Sequence, residues 1–221
     1  MTSAKAAKLR IAFLGDSITV GDGDAAARGW PSRLMALTSP TDGQTQCYNL
    51  GVGGDRIADV KARCASELAA RLTGKEGTGV VVMIGINDAL RAAAKDSCIP
   101  LDKAKIATDF AFILQTAKQY GPVIVVEPAP VLPDLKRGDG GMGSQIMSRL
   151  AEILIITDAV CAAHNTPIVH TLNKLIEDTS FIDSLGAGDG LHPTAKGYDR
   201  LADVVLLNEL WTQFLDQCRS L

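Results

Sequence analysis

Two runs of the chain, Val80-Val81-Val82-Met83-Ile84 and Val123-Ile124-Val125-Val126, constrain its fold most. Both are continuous, rich in β-branched residues and free of polar alternation. A strand with one wet face alternates apolar with polar residues, whereas a strand covered on both faces has no need to. These runs therefore read as central strands of a parallel sheet. The wider pattern agrees. Strands are expected over 9–14, 46–50, 79–84, 123–127 and 167–170. Helical stretches are expected between and after them, over 30–37, 57–72, 102–120, 143–164 and 195–218. Strand–helix alternation implies a parallel sheet with helices on both faces. The fold class is thus α/β, a three-layer α/β/α sandwich with about five parallel strands. No repeat and no linker divides the 221 residues, so a single domain over 1–221 is expected.

The composition supports this architecture and narrows the partners. Apolar residues make up 47% of the chain, enough for a full core. The formal charge of −3, without any dense Lys/Arg block, argues against nucleic acid, whose binding requires a basic face. No apolar run approaches the ~20 residues of a spanning helix, so no integral membrane segment is expected. Residues 1–10 are polar and basic, but the apolar run at 9–14 is too short for a signal peptide and leads straight into Gly-Asp-Ser. The reading is a soluble, cytoplasmic protein. The five cysteines, Cys47, Cys64, Cys98, Cys161 and Cys218, are scattered and form no CxxC pair. They suggest neither a metal site nor a redox motif.

In open parallel sheets, ligands bind beyond the carboxyl ends of the strands. Polar groups follow four of the predicted strands. Ser17 lies in Gly15-Asp16-Ser17. Asn49-Leu50-Gly51-Val52-Gly53-Gly54-Asp55-Arg56 follows the second strand, and Gly85-Ile86-Asn87-Asp88 the third. Asp189-Gly190-Leu191-His192-Pro193 lies beyond the last. A serine hydroxyl is a weak nucleophile. It needs a base, and the base needs a group to orient it. The chain offers Ser, Asp and His in that order, the acid and the imidazole three residues apart.

These four blocks, in this order, resemble those of the SGNH hydrolases, also called the GDSL esterase and lipase family. The resemblance spans roughly residues 9–200. It implies a flavodoxin-like α/β/α fold and a serine esterase acting through an acyl-enzyme on small-molecule esters. It also implies the roles. Ser17 is the nucleophile, His192 the base and Asp189 its orienting acid, while the Ser17 and Gly54 backbone N–H groups and the Asn87 amide serve the oxyanion. No metal and no organic cofactor is implied. Within the family, arylesterases, lysophospholipases, thioesterases and carbohydrate deacetylases all occur, and acyltransfer is a close variant. The small chain, with no long apolar lid, points to short acyl or acetyl groups. Arg56 departs from the family pattern, which often has a hydroxyl residue after Gly-Asp. It reads as a local salt bridge or a contact for an anionic substrate.

Other readings are weaker. The glycine run at 51–54 lacks the third glycine of a dinucleotide fingerprint, with Arg56 at that offset. Asp22-Gly23-Asp24 starts no calcium-loop ligand series and reads as a turn. His164 and His170 read as structural or solvent-facing, and Asp16 and Asp88 as loop-shaping acceptors. Trp30, Trp211 and Phe214 read as packing residues. The loose segment 128–143 should overhang the rim that carries Ser17. A non-catalytic binding module on this fold would be expected to lack a triad member. A nucleotide-binding flavodoxin-like protein would need a phosphate cradle where Asp16 stands. A homo-oligomer is left open, because an apolar last helix serves a core or an interface equally.

Overall fold

The computed structural model describes residues 9–38, 45–74, 76–93, 100–135 and 142–221. In chain order the elements are β1 (Arg10–Gly15), α1 (Ser17–Val20), α2 (Gly29–Thr38), β2 (Gln46–Gly51), α3 (Ile57–Arg71) and β3 (Thr78–Met83). Then come α4 (Ile86–Ala93), α5 (Lys103–Lys118), β4 (Val123–Val126), α6 (Gly143–Ala163) and β5 (Ile168–Val169). The chain closes with α7 (Leu172–Ile176), α8 (Thr179–Gly186), α9 (Ala195–Leu206) and α10 (Glu209–Arg219). The five strands form one parallel sheet in the order β2-β1-β3-β4-β5.

The continuous apolar runs do what their composition dictates. Successive side chains of a strand point to opposite faces. Val80, Val82, Val123 and Val125 enter one core with residues of α3, α4, α5 and α6, such as Val60, Ala89, Phe110 and Ile153. Val81, Met83, Ile124 and Val126 enter a second core with residues of α2, α9 and α10, such as Leu34, Leu201 and Trp211. β1 divides in the same way, with Ala12 and Leu14 facing the first core and Ile11 and Phe13 the second. This is a three-layer α/β/α sandwich. Trp30, Trp211 and Phe214 are fully packed in the second core, where Trp30 meets Phe13 edge-on at 5.3 Å.

The predicted helix over 195–218 requires correction. It breaks after Leu206, and the Asn208 side chain caps α10 by accepting from the Leu210 N–H at 3.0 Å. An Asn side chain competes with the helical backbone for its own N–H groups and so favours such a cap. The short helices α1, α4, α7 and α8 were not expected.

The strand order places β1 between β2 and β3. Chain segments leaving β1, β2 and β3 thus meet at a reversal of strand order, where open α/β sheets form a crevice. Close approach there demands glycine. A Cβ on Gly15 would lie 2.0 Å from Thr19 Oγ1 and 2.6 Å from the Met83 carbonyl. Of the loose segment, residues 136–141 lie outside the described residues. Its described part packs inward through Ala129, Val131 and Leu135, and the Leu132 N–H donates to the Gly190 carbonyl at 2.9 Å.

Candidate active site

Ser17 is the first residue of α1. The Asp16 carboxylate caps this helix, accepting from the Ile18 N–H at 3.0 Å, and Gly21, in left-handed conformation, ends it one turn later. The sharp strand-to-helix turn presents the Ser17 hydroxyl beyond β1. Ser17 Oγ lies 2.9 Å from His192 Nε2, and His192 Nδ1 lies 2.8 Å from Asp189 Oδ2. The other Asp189 oxygen accepts the N–H groups of Leu191 and His192 at 2.9 and 2.8 Å. One carboxylate therefore shapes its own turn and holds the imidazole that follows. Burial alone would raise the Asp189 carboxyl. The N–H groups of His192 and Leu191, with the imidazole, outweigh it and hold the carboxyl below its ordinary range. The His192 side chain is 13% exposed, so one edge of this series is open to a small molecule.

The glycine loop after β2 and the turn after β3 meet each other. Gly54 has φ +84°, and a Cβ there would meet nothing within 4 Å, so the loop surface is open at this residue. Asn87 stands in the first turn of α4, and its Nδ2 donates to the Asp55 carbonyl at 2.9 Å. A primary amide nitrogen carries two hydrogens, so a second donor remains on that atom. Asp88 Oδ2 accepts the Ile57 N–H at 3.0 Å, pinning the start of α3 to α4. Asn49 Nδ2 donates to the Thr19 carbonyl at 2.8 Å, tying β2 to α1. Arg56 lies back on its own helix, donating through its backbone N–H and Nε to Asp59 at 3.0 Å each.

Two carboxyls at this rim are displaced upwards. Burial pushes Asp16 up to about 7, against the Ile18 N–H, and the nearby Asp88 and Asp55 charges add to the rise. Burial likewise pushes Asp88 up to about 6, opposed by the Ile57 N–H and Arg56. A cavity of about 190 Å³ is lined by Arg56, Ile57, Asp88, Arg91, Leu101 and Ile106, and by none of Ser17, Asn87 or His192.

The Asp22-Gly23-Asp24 segment is a turn with a structural task. Asp24 is buried against Arg33 at 2.6 Å, and Gly23 packs on His192 and Pro193. Elsewhere among the described residues, Glu127, Asp158 and His170 bring one ligand-type atom each within 4.8 Å of one another. Both Glu127 oxygens already have partners, His170 Nδ1 at 2.7 Å and the Leu172 N–H at 3.0 Å. His164 ends α6, and its carbonyl accepts from Lys118 Nζ. Cys47, Cys64, Cys161 and Cys218 are free thiols, and burial pushes Cys47, Cys161 and Cys218 up to about 12. Cys98 lies outside the described residues.

The sequence profile of the GDSL-like Lipase/Acylhydrolase family matches residues 13–200, which takes in all four blocks. The chain belongs to this family. Membership in the GDSL-like lipases and acylhydrolases gives the chain its broad activity, the hydrolysis of esters. Solved structures carry the same fold. A lipase/acylhydrolase from Enterococcus faecalis is 23% identical, with a TM-score of 0.67 over 93% of this chain and 96% of that one. A member of the lipolytic G-D-S-L family from Veillonella parvula is 21% identical, with a TM-score of 0.65 over 93% and 99%. A carbohydrate acetylesterase family member from Sinorhizobium meliloti is 14% identical, with a TM-score of 0.66 over 94% and 99%. A comparison with curated proteins found no match. Among the described residues, no helix of this acylhydrolase is long and apolar enough to cross a membrane.

Proposed function

We propose that this acylhydrolase is a serine esterase for short-chain, acetyl-type esters, with Ser17, His192 and Asp189 as its triad. The observation that carries this reading is the unbroken series from Asp189 Oδ2 through His192 to Ser17 Oγ, with links of 2.8 and 2.9 Å. Ser17 Oγ attacks the ester carbonyl carbon while His192 Nε2 takes its proton. The carbonyl π pair moves onto oxygen, where the Ser17 and Gly54 N–H groups and the Asn87 amide receive the charge. The C–O bond to the alcohol then breaks, and His192 returns the proton to the leaving alkoxide. A water molecule next gives its proton to His192 and its oxygen to the acyl carbon. Collapse of that second intermediate releases the acid and restores Ser17. Asp189 keeps the imidazole in the required tautomer and stabilises its cation throughout. The scheme needs no group beyond these residues and water.

The preference for short acyl groups is supported by the small size of the chain, whose sequence holds no long apolar lid segment. Turnover of a p-nitrophenyl ester series, acetate to palmitate, by the wild type and Ser17→Ala tests both parts. The expected result is an optimum at acetate or butyrate and a loss on the order of 10⁴-fold or more in the variant. Equal turnover in the two proteins removes Ser17 as nucleophile, and an optimum at palmitate removes the short-chain preference.

A further inference from the structure

Arg63 lies in the second turn of α3 and looks in the sequence like an ordinary helix-surface charge. Its side chain is 19% exposed and reaches back towards the rim. Nε donates to Asp55 Oδ2 at 2.7 Å, and Nη2 donates to the Gly15 carbonyl at 2.9 Å. The same carbonyl accepts the Val52 N–H at 3.2 Å, at the start of the glycine loop. Gly15 lies two residues before Ser17, and Asp55 directly follows Gly54. One planar cation therefore spans the two loops whose backbone N–H groups face the oxyanion in the proposed reaction. The Asp55 carbonyl extends the link, because it accepts the Asn87 side-chain amide at 2.9 Å. The sequence Gly15 carbonyl, Arg63, Asp55, Asn87 joins all three segments that supply oxyanion donors.

These segments leave three different strands, and no peptide bond holds them at a common spacing. An oxyanion donor is effective only when held at hydrogen-bond distance from the charge that develops, and a misplacement of about 1 Å costs on the order of 100-fold. Some group must fix that spacing. A guanidinium suits the task because its donors form a rigid fork. A lysine, with one nitrogen, supplies the charge for Asp55 without the fork.

Resting on the serine esterase reading, we propose that Arg63 is a positioning residue. By clamping Asp55 to the Gly15 carbonyl, it sets the spacing of the Ser17 and Gly54 N–H donors and, through Asp55, of the Asn87 amide.

The test uses Arg63→Lys and Arg63→Met beside the wild type and Ser17→Ala. Steady-state kinetics on p-nitrophenyl acetate give kcat and KM. Calorimetry with a short alkyl trifluoromethyl ketone reports hemiketal formation at Ser17, and so donor geometry, without turnover. The expected result is a kcat loss of about tenfold for Arg63→Lys and about 30-fold for Arg63→Met, below the cost of losing a donor outright. KM stays within about twofold, and the ketone binds more weakly by the same factors as kcat falls. A structural cation alone would lower the unfolding temperature while kcat and ketone affinity stayed at wild-type values, and that result overturns the proposal. If Arg63→Met does not fold, Arg63→Lys decides by the same criteria. Ketone binding and turnover that survive in Ser17→Ala instead bring down the serine reading, whatever the Arg63 variants do.

Discussion

Among the described residues, two imidazole–carboxylate pairs of nearly equal length lie beyond the strands. His192 Nδ1 meets Asp189 at 2.8 Å, and His170 Nδ1 meets Glu127 at 2.7 Å. Their surroundings separate them. His192 is 13% exposed and its second nitrogen meets the Ser17 hydroxyl, whereas His170 is 60% exposed. The acids differ as well. Asp189 serves its own turn and its imidazole. Glu127 accepts the Leu172 N–H and, through its carbonyl, the Thr171 hydroxyl at 3.0 Å each, anchoring α7 to the end of β4. Asp158, with one buried oxygen that has no hydrogen-bond partner among the described residues, lies near this second pair, and burial raises its carboxyl. An imidazole held by a carboxylate is thus a common structural element. What faces the far nitrogen decides whether it can move a substrate's proton.

The sharpest way to break this contrast is to remove each imidazole in turn. His192→Ala is expected to lose on the order of 10⁴-fold or more in kcat on p-nitrophenyl acetate, the scale on which triad members act. His170→Ala is expected to keep kcat within about twofold. A tenfold loss in His170→Ala would mean that the second pair reaches the chemistry.

Removing the acids makes a finer distinction. Asp189→Asn leaves the turn able to form but withdraws the charge that stabilises the imidazolium. A loss on the order of 10³-fold in kcat is expected, with stability little changed. Glu127→Ala should do the reverse, with near-wild-type kcat and a loss of about 1–3 kcal/mol, because the part-buried Leu172 N–H is left without its acceptor. Urea unfolding with parallel kinetics checks both. A Glu127→Ala protein as stable as the wild type would remove its anchoring role.

The same contrast explains which features could be read from the sequence. The strands were legible because both faces of β3 and β4 are covered, which leaves an unmistakable apolar signature. Their ends fell within a residue or two of expectation. Asp189 and His192 were legible because they are three residues apart, and the structure brings them to Ser17, 175 residues away from His192. Glu127 and His170 are 43 residues apart and Arg63 is 48 from Gly15, so nothing local announces either contact. Arg63 sits at a helical position where a charge ordinarily faces water, and only the turn of α3 towards β1 gives it another task. The helix break at Asn208 depended on whether one polar side chain would cap or continue, and it caps.

The smallest expected effect concerns pH and stays within the Ser17 region. Two carboxyls flank that serine with opposite displacements, Asp189 downwards and Asp16 up to about 7. Asp16 holds its proton more tightly in the folded chain than in the unfolded one, where the ordinary value is 3.8. Its contribution to stability is therefore complete below pH 3.8 and is lost as pH rises through about 7. Asp189 works the other way and loses its contribution only as pH falls below the ordinary carboxylate range. Between pH 4.5 and 7.5 the wild type should therefore lose stability on the Asp16 account. Asp16→Asn keeps an acceptor for the Ile18 N–H and carries no charge, so it should flatten that slope. It should not abolish it, because Asp88, raised to about 6 by burial, titrates in the same window. Urea unfolding at the two pH values reads the difference. Equal slopes in the two proteins would mean that Asp16 is charged beside Ser17 across this range. The rim around the serine would then carry one more negative charge than its burial favours.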